Sequence, residues 1–179
     1  GRRKDGSEFP AEIWLSSVRT DDGLLVSAAV RDLTERERTE ARFQGLLDAA
    51  PDAIVAVDGD GTIQLVNRQA EVLFDYRRDE LLGHPIELLI PQRHQGRHPA
   101  HRAAYVHHPT TRPMGAGLEL AARRRDGTEF PVDISLSSFE AEDGVLVTAA
   151  VRDVSDRKRN EAEQAALEER LRRAEIEEA

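Results

Sequence analysis

The residues of this 179-residue chain that are best suited to chemistry are its histidines. Five of the six lie between residues 94 and 108. A neutral imidazole is a common ligand of transition metals and of haem iron. His94, His98 and His101 are spaced i, i+4 and i+7, which places them on one face of a single helix. The segment therefore predicts a metal-binding or ligand-binding helix, or simply a polar helix surface.

The chain contains no cysteine, which excludes disulfides, thiolate zinc sites, thiol nucleophiles and cofactors attached through sulfur. It also lacks a glycine-rich phosphate loop, a Ser-His-Asp order that hairpins would bring together, and paired carboxylates in an apolar setting. Asp58, Asp60, Asp75 and Asp79 stand at predicted turns and caps, where a structural role is expected. We therefore expect that the chain is not an enzyme by itself.

The charge balance narrows the possible partners. Lys and Arg number 25 and Asp and Glu 34, so that the net charge is −9. This argues against binding to nucleic acid or to an anionic membrane surface, because either needs a cationic field. No apolar run approaches the roughly 20 residues of a membrane span, and the charged opening residues do not resemble a signal peptide. The expected location is the cytoplasm.

The chain repeats itself. Residues 1–38 realign without a gap on a later segment in which Arg3 falls on Arg124, a shift of 121 residues. Solenoid repeats are about 20 to 50 residues long, so the shift corresponds to a whole domain. Four segments are predicted: the C-terminal hairpin and strand of a preceding domain (1–33), a connector helix (34–50), a complete copy of the domain (51–154) and an output helix (155–179).

Three Asp-Gly pairs predict hairpins, because this dipeptide readily adopts the positive φ angles of two-residue turns. They are Asp60-Gly61, Asp126-Gly127 and Asp143-Gly144. Alternating apolar residues on both sides of each pair predict five strands, two before a middle stretch and three after it. These strands contain residues 54–57, 63–66, 118–120, 130–136 and 145–151.

Short helices are predicted for the middle stretch. Asn67 is placed to cap a helix from Arg68 to Phe74, and Gly83 ends a turn that begins at Asp79 or its neighbour. Pro91 ends an apolar segment, and residues 97–107 form a polar helix with Pro99 in its first turn. Short helices over one face of a five-stranded antiparallel sheet make an α+β domain.

Both copies end in the same pattern, Asp32-Leu33-Thr34 and Asp153-Val154-Ser155, in which Thr or Ser is placed to cap a charged helix. In the tail, Leu167, Leu171 and Ala174 have the 4–3 spacing of a coiled-coil seam. A solvated, charged linker helix is the alternative.

At this point the residues resemble the PAS sensor domain family. "AAPDAIVAVDGDGTIQLVNRQAEVLFDY" resembles its first two strands and Asn-capped helix, "RRDGTEFPVDISLS" its central hairpin, and "VRDVSDR" its strand-to-helix linker. The resemblance, which covers residues 43 to 157, implies a five-stranded antiparallel PAS sheet flanked by N- and C-terminal signalling helices. PAS domains hold haem, flavin, other small molecules or nothing. Because the chain has no cysteine, a flavin-cysteinyl adduct and a thioester-linked chromophore are excluded.

The segment "LIPQRHQGRHPAHRAAY" resembles the proximal segment of haem-binding oxygen-sensor PAS domains. The iron ligand there follows the Ile or Met before a proline by eight residues, and the matching position here is His98. The distal arginine of such sensors would fall at Leu118, so a haem would have an apolar distal side, with Met114 nearby. The resemblance implies a cofactor-binding set of His98, Met114, Leu118, Val147 and Arg112. A packed or small-molecule pocket and a bare metal site are the alternatives.

These features predict a sensory and dimerisation module of a larger signalling protein. Movement of the last strand would pass through Asp153, Ser155 and Arg157 to the tail. "LEERLRRAEIEEA" resembles the helical lead-in to sensor histidine kinases, so the effector is expected to be a kinase, or else a diguanylate cyclase or a phosphatase. A second copy is expected to pair through the flanking helices and sheet. The alternative is a ligand-free interaction and dimerisation scaffold.

Overall fold

The computed structural model describes residues 1–21, 23–107, 112–113, 119–141 and 144–177. The chain divides into two units, Gly1–Leu46 and Leu47–Ala179. In the first unit, strands β1 (Ala11–Thr20) and β2 (Gly23–Asp32) form a two-stranded antiparallel sheet. Helix α1 (Thr34–Asp48) follows, and its last two residues, Leu47 and Asp48, belong to the second unit.

The second unit contains one antiparallel sheet and a series of short helices. Its strands are β3 (Ala53–Val57), β4 (Ile63–Val66), β5 (Arg112–Pro113), β6 (Leu120–Arg123), β7 (Glu129–Ala141) and β8 (Gly144–Asp153). Its helices are α2 (Arg68–Phe74), α3 (Arg78–Leu81), a 3-10 helix (Ile86–Leu89), α4 (Gln92–Gln95), α5 (His98–His107) and α6 (Ser155–Glu177). No helix in the described ranges is both long and apolar enough to cross a bilayer.

The sheet has the strand order β4-β3-β8-β7-β5, and β6 also pairs with β7. Strands β5 and β6 pair with successive parts of β7, at Ser135–Leu136 and at Glu129–Val132 respectively. They therefore lie along the same edge of β7, and the sheet is five strands wide. The α+β fold predicted from the sequence, with its five-stranded antiparallel sheet, is confirmed.

The core of the second unit lies between the sheet and the short helices. Phe74 of α2 packs against Phe130 of β7, with ring centroids 6.0 Å apart and the rings tilted by 55°. Aliphatic side chains from β3, β4, β7 and β8 also belong to this core. On β7 the burial alternates, with Phe130 and Val132 buried while Glu129 and Asp133 are exposed, as expected for a sheet with one face in contact with the core.

Asn67 is a fully buried polar residue at the start of α2. Its Oδ1 accepts the N–H of Ala70 at 3.0 Å, which is the predicted helix cap, and also the N–H of Ile54 at 2.8 Å. Its Nδ2 donates to the carbonyls of Leu47 and Asp52, each at 3.0 Å. All four hydrogen-bonding positions of the amide are therefore used, and they join the end of α1, the entry to β3 and the first turn of α2.

The sequence repeat is reproduced in the backbone of both units. Each hairpin is joined by ten residue pairs, from Ala11–Asp32 to Thr20–Gly23 in the first and from Val132–Asp153 to Ala141–Gly144 in the second. The surroundings of the two hairpins differ. Val26 and Val30 of β2 are 56% and 58% exposed, whereas their counterparts Val147 and Val151 of β8 are each 6% exposed.

The Asp-Gly turns are longer than predicted. Val57 pairs with Ile63 and Arg123 with Glu129, so five residues, not two, form each of the first two connections. Asp58 Oδ1 accepts the N–H groups of Asp60 and Thr62 at the first turn, at 3.0 and 2.9 Å. A longer loop has additional N–H groups without partners in the strand ladder. Here the carboxylate at the start of the loop accepts their hydrogen bonds. The third connection, at residues 142–143, lies outside the described residues.

We expect Asn67→Ala to lower the free energy of unfolding by about 3 kcal/mol, since it removes a helix cap and leaves buried backbone groups without partners. Urea denaturation of the whole chain measures this loss. Asn160→Ala, at an exposed position of α6, is the control and should change stability little. Equal stability of the two variants would contradict the structural role assigned to the Asn67 amide.

Candidate functional site

His98, the predicted ligand-binding histidine, is the first residue of α5 and is partly buried. Its Nδ1 lies 2.8 Å from Oε1 of Glu87 on the 3-10 helix. Nη1 of Arg102, one turn further along α5, donates to the same oxygen at 3.1 Å. The side chains of His98, Glu87 and Arg102 are 20%, 17% and 15% exposed. Tyr105, on the same helix face as His98, is buried in the core, so this face of α5 is directed inward.

The Glu87 contact determines which nitrogen of His98 is available. A carboxylate accepts hydrogen bonds from a ring N–H, so the contact suits the tautomer in which Nδ1 carries the proton. In a neutral ring the other nitrogen, Nε2, then has a free electron pair and can bind a metal. Metal-binding histidines commonly donate their second ring N–H to a carboxylate in this way. The imidazole of His98 is therefore a donor of the kind that would hold haem iron.

The turn between β3 and β4 contacts the cluster formed by the side chains of His98, Glu87 and Arg102. Ile86 N–H donates to the Gly61 carbonyl at 2.9 Å, which joins the turn to the 3-10 helix. Gly61 has φ of +86°, and a Cβ at this position would lie 1.3 Å from Nη1 of Arg102. The guanidinium therefore lies directly against the Gly61 backbone. Glycine is needed here both for its backbone conformation and for the space that Arg102 occupies.

The three-histidine face predicted from the spacing is not formed. Helix α4 ends at Gln95 and α5 begins at His98, so that His94 and His98 lie on different helices. His94 and His101 are exposed, whereas His98 is partly buried. Within the described ranges, no group of three His, Cys, Asp or Glu side chains is placed to hold a metal ion.

The other residues of the predicted cofactor-binding set are only partly described. Val147 is buried in the core on β8, where it pairs with Val57 of β3 and Ser138 of β7. Arg112 belongs to β5 and its backbone pairs with Leu136. Met114 and Leu118 lie outside the described residues.

The predicted relay residues meet where β8 passes into α6. Asp153 Oδ1 accepts the N–H and the Oγ–H of Ser155, at 2.8 and 2.5 Å. Its Oδ2 accepts Nη2 of Arg124 at 2.9 Å. Burial by itself raises the pKa of Asp153, but the two bonds from Ser155 and the charge of Arg124 outweigh it, and the pKa is held below its usual value.

Arg124, which was not predicted as a site residue, links this junction to α2. Its Nε donates to the Leu73 carbonyl at 3.1 Å, and its guanidinium carbon lies 3.8 Å from the centre of the Phe130 ring. One side chain therefore contacts the end of α2, the core and the start of α6. The sequence repeat could have indicated this role. Arg3 and Asp32 are the counterparts of Arg124 and Asp153, and each arginine pairs with the aspartate that precedes a helix.

The first turn of α6 is attached to the sheet at further points. Val154 is buried, and its N–H donates to the Pro131 carbonyl at 3.1 Å. Arg157, the third predicted relay residue, pairs with Asp133 of β7 at 2.8 Å. Exposed ion pairs of this kind contribute about 0–1 kcal/mol each, so we expect the buried Val154 and its backbone bond to contribute more than the Arg157 pair.

The comparison with protein families agrees with this architecture. Residues 1–35 and 51–156 match the family model of the PAS domain. The chain belongs to the PAS domain family. This PAS chain is similar to Sensor protein FixL of Bradyrhizobium diazoefficiens, with 30% identity over 132 residues, which cover 74% of the chain and 26% of FixL.

The chain is also similar to a histidine kinase and to a solved PAS domain. Cell-division control histidine kinase PdhS of Brucella ovis is 27% identical over 187 residues, which cover 90% of the PAS chain and 17% of PdhS. The crystal structure of the PAS domain of an HTR-like protein from Haloarcula marismortui superposes with a TM-score of 0.56 at 27% identity, covering 66% of the chain and 94% of that domain. The chain thus spans about a quarter or less of the length of FixL and PdhS.

The lowered pKa of Asp153 predicts an acid-sensitive junction. Its contribution to stability is present above the unfolded-state pKa of about 4 and is lost as the pH falls through the lower folded-state value. We therefore expect Asp153→Asn to be less stable than wild type at about pH 7, and the difference to shrink at about pH 3. Urea denaturation across this pH range measures it. Asn160→Ala, at an exposed position of α6, replaces no titrating group and should show no such convergence; a constant Asp153→Asn difference would contradict the assignment.

Proposed function

We propose that this chain is the sensory PAS module of a larger cytoplasmic signalling protein, in which a change in the PAS core moves helix α6 and thereby an effector. The observation that carries this proposal is the set of contacts made by Arg124. The Leu73 carbonyl at the end of α2 and the Asp153 carboxylate at the end of β8, two residues before α6, are both bonded to this one side chain.

The proposed relay begins with a displacement of α2 or β7 against the core. Arg124 follows α2 through Leu73 and transmits the displacement to Asp153, whose other oxygen orients Ser155 at the first turn of α6. The Arg157–Asp133 pair adds a second connection, from β7. Since these contacts hold the first turn from several sides, a shift in the sheet changes the direction of α6 and does not merely loosen its end.

The proposed ligand is haem, held by His98. The eight-residue spacing from Ile90 and the Glu87 contact at Nδ1 both support this assignment. Bound haem would supply an iron atom that responds to a gas or to redox state by a change in its coordination. The chain's own contribution is to orient the His98 ring through the Glu87 contact, on the face of α5 that also carries the buried Tyr105.

The effector is proposed to be a histidine kinase, in keeping with the similarity to FixL and PdhS. We propose that α6 pairs with α6 of a second copy, since Leu167 and Leu171, four residues apart, are each 58% exposed. Residues 1–33 are proposed to be the C-terminal part of a preceding PAS domain, a proposal supported by the family match to residues 1–35.

A ligand-free dimerisation scaffold is the second candidate function. The same exposed residues of α6, Leu167 and Leu171, favour it, because pairing through them requires no ligand. The two candidates differ in what the PAS core binds, and the test of haem uptake separates them.

We expect the purified protein to take up added haem and to show the intense Soret absorption band, and we expect His98→Ala to lose this band because its iron ligand is gone. Titration with haem and absorption spectroscopy measure both. His94→Ala, at an exposed position on α4, is the control and should bind as wild type does. A protein that stays colourless after reconstitution would favour the scaffold.

In the full-length parent protein, we expect Asp153→Asn combined with Ser155→Ala to make effector activity unresponsive to the ligand. Domain stability should fall by only about 1–2 kcal/mol, the cost of a lost helix cap. Kinase activity with and without ligand, together with a thermal melt, measures the two effects. Asp156→Asn on the same helix should leave the response intact. A response that survives the double substitution would rule out the relay through this junction.

A further inference from the structure

We propose that Glu87 is a positioning residue for His98, holding the imidazole as the Nδ1-protonated tautomer so that Nε2 is presented to iron. The proposal rests on the proposed function, in which His98 binds haem. Glu87 lies eleven residues before His98, on a different helix, and no spacing or motif in the sequence relates the two.

The geometry of the contact supports this role. The 2.8 Å distance between Nδ1 of His98 and Oε1 of Glu87 is that of a strong, charge-assisted hydrogen bond. Both side chains are about four-fifths buried, so water competes weakly for either partner. His98 is the first residue of α5, so fewer neighbouring groups would restrict the orientation of its ring without the hydrogen bond to Glu87.

Glu87 itself is held in place from both sides. Its helix is joined to the β3–β4 turn by the bond from Ile86 N–H to the Gly61 carbonyl. On the other side, Nε2 of Gln95 donates to the carbonyls of Glu87 and Ile90, each at 3.0 Å. The carboxylate is therefore a fixed reference point for the imidazole, as a supporting residue of a metal ligand needs to be.

Arg102 sets the charge of the cluster. Its guanidinium donates to the same Glu87 oxygen at 3.1 Å, and its position is fixed by the Gly61 backbone. The carboxylate that faces the His98 ring is therefore itself paired with a cation, which holds its oxygen in place beside Nδ1.

Glu87→Gln tests the proposal with little change in side-chain size. The amide can still accept from Nδ1–H, but it has no charge and can also donate, so the preference for one tautomer weakens. Loss of a supporting residue typically weakens metal binding by about 10- to 100-fold. We expect haem affinity to fall within this range and the iron–histidine stretching frequency in resonance Raman spectra to decrease.

The control is Glu129→Gln, which removes the carboxylate of the more exposed Arg93–Glu129 ion pair and should leave both readouts unchanged. A second measurement needs no haem: nitrogen-15 NMR of the His98 ring in the ligand-free protein should show the proton on Nδ1 in wild type and a mixture of tautomers in Glu87→Gln.

The outcomes separate the two proposals. If wild type takes up no haem, or if His98→Ala binds it as well as wild type does, the proposed function fails and this inference fails with it. If His98→Ala abolishes binding while Glu87→Gln matches wild type in affinity and Raman frequency, His98 remains the ligand and the role of Glu87 is overturned. An Nε2-protonated ring in the ligand-free wild type would also overturn it.

Discussion

The second unit depends on one buried amide. Asn67 satisfies four backbone groups from the end of α1, the entry to β3 and the start of α2. An amide can do this because it has two donors and two acceptor positions at one end of a short side chain. Since a buried group without a partner costs about 1–3 kcal/mol, the three segments are fixed relative to one another. The entry to β3 and the first turn of α2, which both contribute buried residues to the core, depend on this arrangement.

A second recurring device is a carboxylate that accepts backbone N–H groups two residues further along the chain. It occurs at Asp58 and Asp126 in turns, and at Asp32 and Asp153 where strands pass into helices. In the last two places an arginine, Arg3 or Arg124, pairs with the other oxygen of the same carboxylate. The same carboxylate therefore ends the strand and connects the sheet to the following helix. At Asp153 this arrangement makes the junction between β8 and α6 a suitable place for a relay.

Most of the secondary structure could be predicted because it depends on local patterns. The Asn67 cap, the period-two alternation of β7 and the helix that ends before Gly83 all follow from residues close in sequence. The turn lengths were predicted wrongly because Asp-Gly also fits longer turns when a preceding carboxylate satisfies their N–H groups. The three-histidine face was wrong because helical spacing assumes an unbroken helix, whereas the helix is interrupted between Gln95 and His98.

The strand and helix pattern, the 121-residue repeat and the absence of thiol chemistry follow from composition and local spacing, and the resemblance of the residues to known domains indicated the PAS family. The role of His98 is a prediction from that resemblance. What these residues contact depends on the tertiary structure. Glu87 meets His98 across eleven residues, and Arg124 meets Leu73 and Asp153 across 51 and 29. Such contacts depend on how separate elements pack around a shared core, and a pattern of neighbouring residues does not encode that packing.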